Sequence, residues 1–447
     1  MLAPPVSTSP QPESLWRHLA GQTASLDATV GAGPLTRDLQ VEVAVIGAGY
    51  SGLCAAHALQ QRGVSCAVLD ANPVGWGASG RNGGVVSSKF RPSFSAIASA
   101  HGIDVARRMH RLAHEGVRTV EALVDECGIA RAQFERTGSL RCAHTARALA
   151  SIVAEAEWVR AQLGDRSMTV LSRDEVSAET GSTGFVGGVL SADAGTILPL
   201  EYVLGIARAV ASRGVPIHTS TPVLAIDRTP GVGGASGVTL RTPGANVRAR
   251  QVIVATNAYS DLTPATDAMR RELVPFRSAM IATERLPAAL DAKLMTQRRS
   301  YTETRRMMKW FRRADGRMLF GGRDAFGKEG QDTGFEALRR AMVGLFPDLA
   351  DIRVEFRWSG YVGMTFNALP HVGRANDATV FCVGYNGAGV AMASLIGKHA
   401  AALALGDTPD LALLAQDGLR PVPFHSLRAP GVRIVAAWYQ FLDAMGA

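Results

Sequence analysis

The stretch VEVAVIGAGYSGLCAAHALQQRGVSCAVLD, residues 41–70, carries the pattern that decides the fold. Its apolar run at residues 43–46 is typical of a buried parallel strand, and the turn GAGYSG follows that run directly. Gly47 permits the tight strand-to-helix turn, Gly49 allows the backbone to approach a pyrophosphate, and Gly52 allows the helix to pack closely against the strand. The stretch therefore predicts the first strand–helix–strand unit of a dinucleotide-binding fold.

A carboxylate at the end of the next strand indicates which dinucleotide is bound. Residues 65–69 form a second strand-like segment that leads into Asp70, about 20 residues beyond the glycines. An acid at this position holds the ribose hydroxyl groups, and it disfavours the 2′-phosphate of NADP because two negative groups would meet. These residues leave FAD and NAD as the candidate cofactors.

Length and composition describe a globular protein of two unequal domains. The 447 residues exceed the size at which a single core keeps growing, and hydrophobic and charged residues make up 47% and 19% of the chain. The net charge of +8 comes from scattered Lys and Arg residues rather than from a basic stripe interleaved with aromatic residues. We therefore expect no nucleic acid partner, and we expect an anionic substrate or cofactor.

Cysteine usage and hydropathy indicate a cytoplasmic protein. The five cysteines include no CxxC pair and no metal-ligand spacing, so we expect reduced core residues and no bound metal. The N-terminal sequence lacks a basic segment followed by an apolar core, and no uninterrupted apolar run is long enough to span a bilayer. We therefore expect neither a signal peptide nor stable membrane insertion.

A second glycine-rich segment, NPVGWGASGRNGG at residues 72–84, follows Asp70 closely, and five of its thirteen residues are glycine. Such a density leaves backbone N–H groups facing a ligand, while Ser79, Arg81 and Asn82 add donors for a phosphate and for the edge of a ring. A plain flexible loop is the alternative. Loops selected only for flexibility rarely combine Trp, Arg and Asn with so much glycine, which favours a binding segment.

The two glycine-rich motifs together resemble the D-amino-acid-oxidase-like superfamily of FAD enzymes, most closely the branch that contains gamma-glutamylputrescine oxidase and related amine oxidases. The resemblance covers residues 40–400 in outline and is strongest at its two ends. It includes VIVATNA at residues 252–258, the segment at residues 358–373, and GYNGAGV at residues 384–390. The resemblance implies that the cofactor is FAD. Because no attachment residue is clearly placed, we expect FAD to bind non-covalently.

Carried onto this chain, the resemblance implies that the first glycine motif holds the ADP half of FAD and that the second runs past the pyrophosphate toward the flavin. It also implies that the helix after GYNG points at the edge of the flavin where negative charge builds, since a helix N-terminus supplies N–H donors and partial positive charge. The predicted FAD-binding positions are Gly47, Ala48, Gly49, Tyr50, Ser51, Gly52, Asp70, Ala71, Gly77, Ala78, Ser79, Arg81, Asn82, Gly83, Gly84, Val223, Thr256, Asn257, Gly360, Gly387, Ala388, Gly389 and Val390.

The predicted fold class is α/β, with a Rossmann-like FAD-binding domain and a second, mostly antiparallel-sheet substrate domain, discontinuous in sequence. The N-terminal arm is rich in Pro, Ser and Thr, and Leu15 and Trp16 are its expected docking point. The predicted ranges are 1–40 for the arm, 41–90, 165–265 and 353–447 for the FAD-binding domain, and 91–164 and 266–352 for the substrate domain.

The resemblance also implies a reaction. The family removes hydride from a carbon that bears an amine, which gives an imine that water hydrolyses, and reoxidation by molecular oxygen then yields hydrogen peroxide. A flavin amine dehydrogenase that passes electrons to a quinone or carrier protein is the first alternative, and a nucleotide-binding protein without turnover is the second. An NAD dehydrogenase is disfavoured because NAD alone does not require GWGASGRNGG and GYNGAGV.

Two side chains of the segment at residues 358–373 are the catalytic candidates. His371 follows Pro370 near the expected flavin face, and Tyr361 lies earlier in the same segment. The segment departs from the family pattern at Asn367, where the family often has Asp, which puts an ionic role at that position in doubt. No nucleophile elbow is present, so a hydrolase is not expected.

Arginines concentrated between residues 273 and 345 are the candidates for binding a substrate carboxylate. We expect strands at residues 274–284, 301–313 and 316–322, and side chains alternate between the two faces of a strand. Arg305 and Arg306 would then face opposite sides, so at most one of them could point into a cavity. The predicted substrate-binding residues are Arg277, Arg305, Arg306 and Arg323.

Overall fold

The fold is described from a computed structural model of the chain. The structure describes residues 13–22, 30–230, 236–322 and 332–423, together with residues 425, 431, 434 and 438.

Eleven α-helices lie within these ranges, and several short 3₁₀ turns connect the elements. The helices are α1 (Leu15–Gln22), α2 (Tyr50–Gln61), α3 (Phe94–His101), α4 (Ile103–Glu126), α5 (Ala146–Leu163), α6 (Arg173–Thr180), α7 (Pro199–Ser212), α8 (Asp267–Arg270), α9 (Ala288–Lys293), α10 (Asp332–Leu345) and α11 (Gly389–Ala404). None of the helices in the described part of the chain combines the length and apolar character that crossing a bilayer requires.

Nineteen strands are described, and they form two large sheets and one two-stranded ribbon. The strands are β1 (Leu39–Ile46), β2 (Cys66–Leu69), β3 (Val85–Ser87), β4 (Ser139–Ala143), β5 (Met168–Leu171), β6 (Gly187–Ser191), β7 (Ala194–Thr196), β8 (Ile217–His218), β9 (Ala225–Pro230), β10 (Ser236–Arg241), β11 (Asn246–Val254), β12 (Val274–Arg285), β13 (Ser300–Glu303), β14 (Lys309–Ala314), β15 (Arg317–Gly322), β16 (Val354–Met364), β17 (His371–Asn376), β18 (Thr379–Val383) and β19 (Ala415–Gln416).

The first sheet has nine strands and forms the nucleotide-binding half of the molecule. Its main path runs β19-β17-β18-β11-β1-β2-β8, and β9 and β10 extend it from β11. Strand β1 lies between two parallel partners, with Val43 opposite Cys66 of β2 and Gln251 of β11. The last four residues of β1 and all of β2 are buried, as a parallel sheet covered on both faces requires. The predicted Rossmann-like unit is therefore confirmed.

Helix α2 begins directly after the glycine turn and packs along β1. Gly49 is its N-cap residue, and Gly47 has a φ of +111°, a conformation that L side chains rarely adopt. A Cβ added to Gly52 would lie 1.8 Å from the carbonyl oxygen of Gly47. Only glycine at position 52 therefore allows the first turn of α2 to approach the strand end this closely.

The second sheet has eight strands in the order β16-β12-β15-β14-β13-β4-β6-β5. All its neighbours are antiparallel except β13 and β4, which run parallel. The long pair β12 and β16 forms one edge of the sheet. This arrangement confirms the predicted mostly antiparallel second sheet.

Sheet membership differs from the predicted domain ranges at two places. Strands β5 and β6 lie within residues 165–265, and β16 lies within residues 353–447, yet all three pair within the eight-stranded sheet. The sequences of these strands do not encode which sheet they join, because the choice depends on partners far away in the sequence. The chain therefore crosses between the two sheets as often as its sequence predicts, but the first return follows β6 and the last crossing follows β16.

The predicted continuous strand at residues 301–313 is wrong, because residues 304–308 form a turn between β13 and β14. The buried carboxylate of Glu303 holds this turn. One of its oxygens accepts the backbone N–H of Lys309 at 3.1 Å, and the other pairs with the guanidinium of Arg305. The alternation argument for Arg305 and Arg306 therefore does not apply, since neither residue lies on a strand.

Helix α1 docks where the sequence predicts. Leu15 and Trp16 are buried, and the indole Nε1 of Trp16 donates a hydrogen bond to the carbonyl oxygen of Asn82 at 2.8 Å. The ring of Trp16 also meets that of Trp358 edge-on, with centroids 6.0 Å apart. The helix thus packs the second glycine-rich segment against the eight-stranded sheet.

The five cysteines are all unpaired, as expected.

Replacing Gly52 by Val is expected to destabilise the protein by ~1–3 kcal/mol, because the added side chain must push α2 away from the carbonyl of Gly47. The matched control is Gly344→Ala in α10, where a Cβ meets nothing within 4 Å. That substitution should raise stability by up to ~1 kcal/mol through helix propensity. Thermal and urea unfolding of both variants measure the difference, and equal stability of Gly52→Val and the wild type would contradict the proposed packing.

Candidate FAD and substrate site

A cavity of about 800 Å³ lies between the two large sheets. On one side it is lined by the glycine turn after β1, by Asp70 and by the second glycine-rich segment. On the other side it is lined by β14, β16 and the turn that precedes β14. The cavity therefore connects the predicted dinucleotide motifs with the sheet that was predicted to bind the substrate.

Asp70 sits at the nucleotide end of this cavity and is fixed by two backbone donors. Its Oδ2 accepts the N–H of Ala48 at 2.7 Å, and its Oδ1 accepts the N–H of Asn72 at 2.8 Å. Burial raises the pKa of Asp70 to about 6, although these two hydrogen bonds act in the opposite direction. The carboxylate is thus oriented by the turn itself.

The second glycine-rich segment closes directly onto the first. The hydroxyl oxygen of Ser79 accepts the N–H of Tyr50 at 3.0 Å, and a Cβ at Gly49 would lie 2.9 Å from the same oxygen. The amide of Asn82 donates to the hydroxyl of Tyr50 at 3.2 Å and to the carbonyl of Ser79 at 3.0 Å. These contacts join the two glycine-rich segments into one cradle that lines the cavity.

Arg81 joins this cradle to the eight-stranded sheet. Its Nε donates to the carbonyl oxygen of Trp76 at 2.7 Å, and its Nη1 donates to that of Ser359 at 3.3 Å. Its guanidinium also lies over the ring of Trp76, 4.5 Å from the centroid. Arg81 is buried and lines the cavity, so it places a fixed positive charge in the middle of the site.

The turns after β11 and β18 meet behind the cavity through Asn257. Its side-chain oxygen accepts the N–H of Gly384 at 2.9 Å, and a Cβ at Gly363 would lie 2.5 Å from that oxygen. Gly389 and Val390, the first residues of α11, line the cavity nearby. The N-terminus of α11 therefore supplies the second helix end in the site, beside that of α2.

Most of the predicted FAD-binding positions line the cavity. They are Gly47, Ala48, Gly49, Tyr50, Ser51, Asp70, Ala71, Gly77, Ala78, Ser79, Arg81, Asn82, Gly83, Val223, Thr256, Asn257, Gly360, Gly387, Gly389 and Val390.

Three predicted FAD positions do not line the cavity and have structural roles instead. Gly52 packs against the strand end, and Ala388 is the N-cap of α11. A Cβ at Gly84 would lie 2.1 Å from the carbonyl oxygen of Ile197, and the carbonyl of Gly84 accepts a hydrogen bond from Arg312 at 2.8 Å. These three residues support the segments that line the cavity without lining it themselves.

Arg306, Met308 and Tyr361 line the cavity from the side of the eight-stranded sheet. Lys89 and Arg91, which follow β3, also line the cavity, and neither was predicted from the sequence. Their only sequence signal is their position a few residues after the second glycine-rich segment. Three cationic side chains outside the glycine cradle therefore border one space.

The other arginines predicted to bind substrate have different positions. Arg277 does not line the cavity, and its Nε donates to the hydroxyl of Ser359 at 3.2 Å. Arg305 pairs with Glu303 and also does not line the cavity. Arg323 lies outside the described residues.

A catalytic role for His371 does not agree with its position. The residue is buried at the start of β17 and does not line the cavity. Its Nδ1 lies 3.0 Å from a carboxylate oxygen of Glu272, and its Nε2 lies 2.9 Å from the side-chain oxygen of Asn367. The local sequence, a proline followed by His371, does not show that both ring nitrogens of this histidine have hydrogen-bonding partners. Tyr361, in contrast, does line the cavity, against the ring of Tyr259.

The site fits an extended dinucleotide with a reducible ring. A Cβ at Gly47 would lie 3.0 Å from the carbonyl oxygen of Ala255 and one at Gly49 2.9 Å from the hydroxyl of Ser79, so glycine lets the turn close on both segments. Two helix N-termini supply donors for negative charge. Asp70 is oriented for hydroxyl groups at one end, while Arg306 and Tyr361 remain beyond the cradle at the other. The residues present therefore suit FAD.

Comparisons with known proteins agree with this site. A probable oxidoreductase OrdL of Haemophilus influenzae is 29% identical over 416 residues, which cover 92% of this chain and 94% of the relative. The gamma-glutamylputrescine oxidoreductase of Escherichia coli (strain K12) is 29% identical over 418 residues, which cover 92% of this chain and 95% of that protein.

A solved structure shares the fold at lower sequence identity. The crystal structure of glycine oxidase from Geobacillus kaustophilus superposes with a TM-score of 0.71 at 19% identity, and the match covers 86% of this chain and 99% of the other. The sequence profile of the family described as "DAO: FAD dependent oxidoreductase" matches residues 42–403. The chain therefore belongs to the DAO family of FAD-dependent oxidoreductases.

Proposed function

We propose that this protein oxidises the C–N bond of an amine or amino acid that carries an anionic group. The observation that carries the proposal is the continuous cavity that leads from the glycine cradle to Arg306 and Tyr361. FAD, which Asp70 and the two glycine-rich segments would hold, would supply hydride acceptance from the carbon next to nitrogen, and the resulting imine would be hydrolysed by water. The chain's own residues orient the substrate and tune its charge.

The charge of the cavity walls favours a neutral amine. Among the described residues that line the cavity, Asp70 is the only carboxylate, and no histidine is present. A substrate ammonium therefore finds no side-chain base near Tyr361 and must lose its proton to water. Lys89, Arg91 and Arg306 disfavour the ammonium form, because like charges lower the pKa of a bound amine.

Arg306 is the proposed ligand of the substrate's anionic group. It lines the cavity from the turn that precedes β14, on the substrate side of the glycine cradle. A guanidinium offers a planar fork that matches a carboxylate, and a charge-assisted pair of this kind contributes ~1.5–3 kcal/mol. Lys89 and Arg91 add positive charge to the same cavity and attract the same group.

Aromatic residues are proposed to position the reacting carbon. The rings of Tyr259 and Tyr361 meet at 5.9 Å between centroids, and Tyr259 also contacts Trp76 at 5.3 Å. The backbone N–H of Tyr361 donates to the hydroxyl of Tyr259 at 3.2 Å, which fixes the pair. A rigid aromatic wall of this kind excludes water and limits the orientations of a bound amine.

Molecular oxygen is the proposed electron acceptor, in keeping with the resemblance of the glycine motifs to those of amine oxidases. A quinone or a carrier protein is the alternative. One relative is named gamma-glutamylputrescine oxidoreductase, and that name is consistent with an amine substrate for this chain.

Replacing Arg306 by Met should raise KM about 10- to 100-fold for a carboxylate-bearing amine and change kcat little. The contact lies away from the reacting C–H bond, so it binds ground state and transition state about equally. The matched control is Arg277→Met, which removes an arginine of β12 that does not line the cavity. Steady-state kinetics compare the two variants, and an unaltered KM in Arg306→Met would contradict the assignment.

Screening amines and amino acids with the purified protein should release hydrogen peroxide in air, in an amount equal to the imine-derived product. The reason is that oxygen then accepts every electron pair taken from the substrate. Turnover only after addition of a quinone or a redox dye would overturn oxygen as acceptor and favour the dehydrogenase. Absence of turnover with every amine under both conditions would contradict the proposed reaction.

Asp70 should make FAD affinity depend on pH. Ribose hydroxyls donate to the ionised carboxylate, so affinity should be fully present above pH about 6 and fall as the pH drops through that value. Asp70→Asn should bind FAD about 10- to 100-fold more weakly at high pH, with a flatter pH profile. Asp261→Asn, at an exposed position, is the control. FAD titration of the apoprotein measures each dissociation constant, and parallel pH profiles for Asp70→Asn and the wild type would argue against this role.

A further inference from the structure

We infer that His110, His114 and Asp165 form a binding site for a divalent transition metal, with Zn²⁺ as the best match. Their side chains offer three ligand atoms that all lie within 4.8 Å of one another. None of the three residues lines the cavity between the sheets, so the site is separate from the proposed oxidation chemistry.

Helix α4 presents the two histidines on one face. His110 and His114 are one turn apart, and residues four positions apart on a helix are neighbours on its surface. Their ring centroids are 4.2 Å apart. This spacing places two imidazoles side by side, as in helical zinc sites whose two histidines stand at i and i+4.

Asp165 completes the set from the segment between α5 and β5. Its Oδ2 lies 2.9 Å from Nε2 of His110 and 3.3 Å from Nε2 of His114. In a tetrahedral zinc site with ligands at ~2.0–2.1 Å, neighbouring ligand atoms are roughly 3.3 Å apart. The two distances from Asp165 are therefore within about 0.4 Å of this spacing, and the two histidine ligand atoms lie within 4.8 Å of each other.

The surroundings of the three ligands resemble the outer shell of a metal site. Nδ1 of His114 lies 2.7 Å from Oδ2 of Asp193, which fixes the tautomer that leaves Nε2 available as a ligand. The other oxygen of Asp193 accepts from Arg136 at 3.1 Å, and Oδ1 of Asp165 accepts the N–H of Ser167 at 2.8 Å. Each of these contacts orients a ligand or its carboxylate partner.

The ligand side chains are mostly buried but not sealed. The exposed fractions of the side chains are 16% for His110, 11% for His114 and 9% for Asp165. This exposure lets solvent reach the side chains, and water is the expected fourth ligand. Two imidazoles and one carboxylate with water form an N,O donor set that suits Zn²⁺ and does not suit Mg²⁺, which prefers oxygen ligands.

The metal would join parts of the chain that come from different elements. His110 and His114 belong to α4, Asp165 follows α5, and Asp193 immediately precedes β7. An ion at their meeting point would tie α4 to the eight-stranded sheet through the segment before β5. The expected role is therefore structural, and flavin-dependent activity is not its readout.

The test uses the FAD-loaded protein, first dialysed against a chelator and then equilibrated with Zn²⁺. Metal analysis should find one Zn²⁺ per chain in the wild type, and His110→Gln and His114→Gln should each bind at least ~10-fold more weakly. His101→Gln, at an exposed histidine at the end of α3, is the control and should bind as the wild type does. Equal retention by all four proteins would show adventitious surface binding and overturn the site.

A second measurement on the wild type does not depend on the folding of variants. Co²⁺ in place of Zn²⁺ should give the intense absorption of a tetrahedral complex at wavelengths longer than those of the flavin, and added Zn²⁺ should remove it. Zn²⁺ in about 100-fold excess over its Kd should also raise Tm by a few degrees, whereas Mg²⁺ should not. A Co²⁺ spectrum typical of the hexa-aqua ion, or equal Tm with both metals, would contradict the proposal.

Discussion

The close contact between Gly52 and the carbonyl of Gly47 is the constraint on which the rest of the structure depends. With no Cβ at position 52, α2 begins against the end of β1, and its N-terminus faces the cavity. The same turn orients Asp70 through the N–H of Ala48 and seats Ser79 against Gly49. One backbone approach therefore positions three separate parts of the nucleotide cradle.

The elements set by local chemistry could be predicted from the sequence. Glycine spacing, the apolar runs of β1 and β2, and Asp70 identified the nucleotide unit, because turn geometry and strand burial are encoded in neighbouring residues. The docking of Trp16 was also predictable as an apolar pair in a polar arm. The family resemblance added the turns at Asn257 and Gly387, which line the cavity as expected.

Features that depend on distant partners could not be predicted. The buried carboxylate of Glu303 holds a turn where a continuous strand was expected. Arg306 therefore lines the cavity, whereas Arg305 does not. His371 had a suggestive position in the sequence, but Glu272 lies almost a hundred residues before it and pairs with it. Lys89 and Arg91 carry no motif, so only the fold reveals that they border the same space as Arg306.

The charged residues that line the cavity are the basis for the proposed substrate. The glycine cradle offers backbone donors, whereas the wall formed by the eight-stranded sheet offers Arg306 and an aromatic pair, which is why we propose an amine with an anionic group. Anaerobic titration of the FAD-loaded protein with two amines that differ only in a distal carboxylate tests this claim most directly. Both amines should bleach the flavin absorbance. The concentration that half-saturates the rate of bleaching should be at least about 10-fold lower for the carboxylate-bearing amine. Equal half-saturation for the pair, or no bleaching by either amine, would contradict the account.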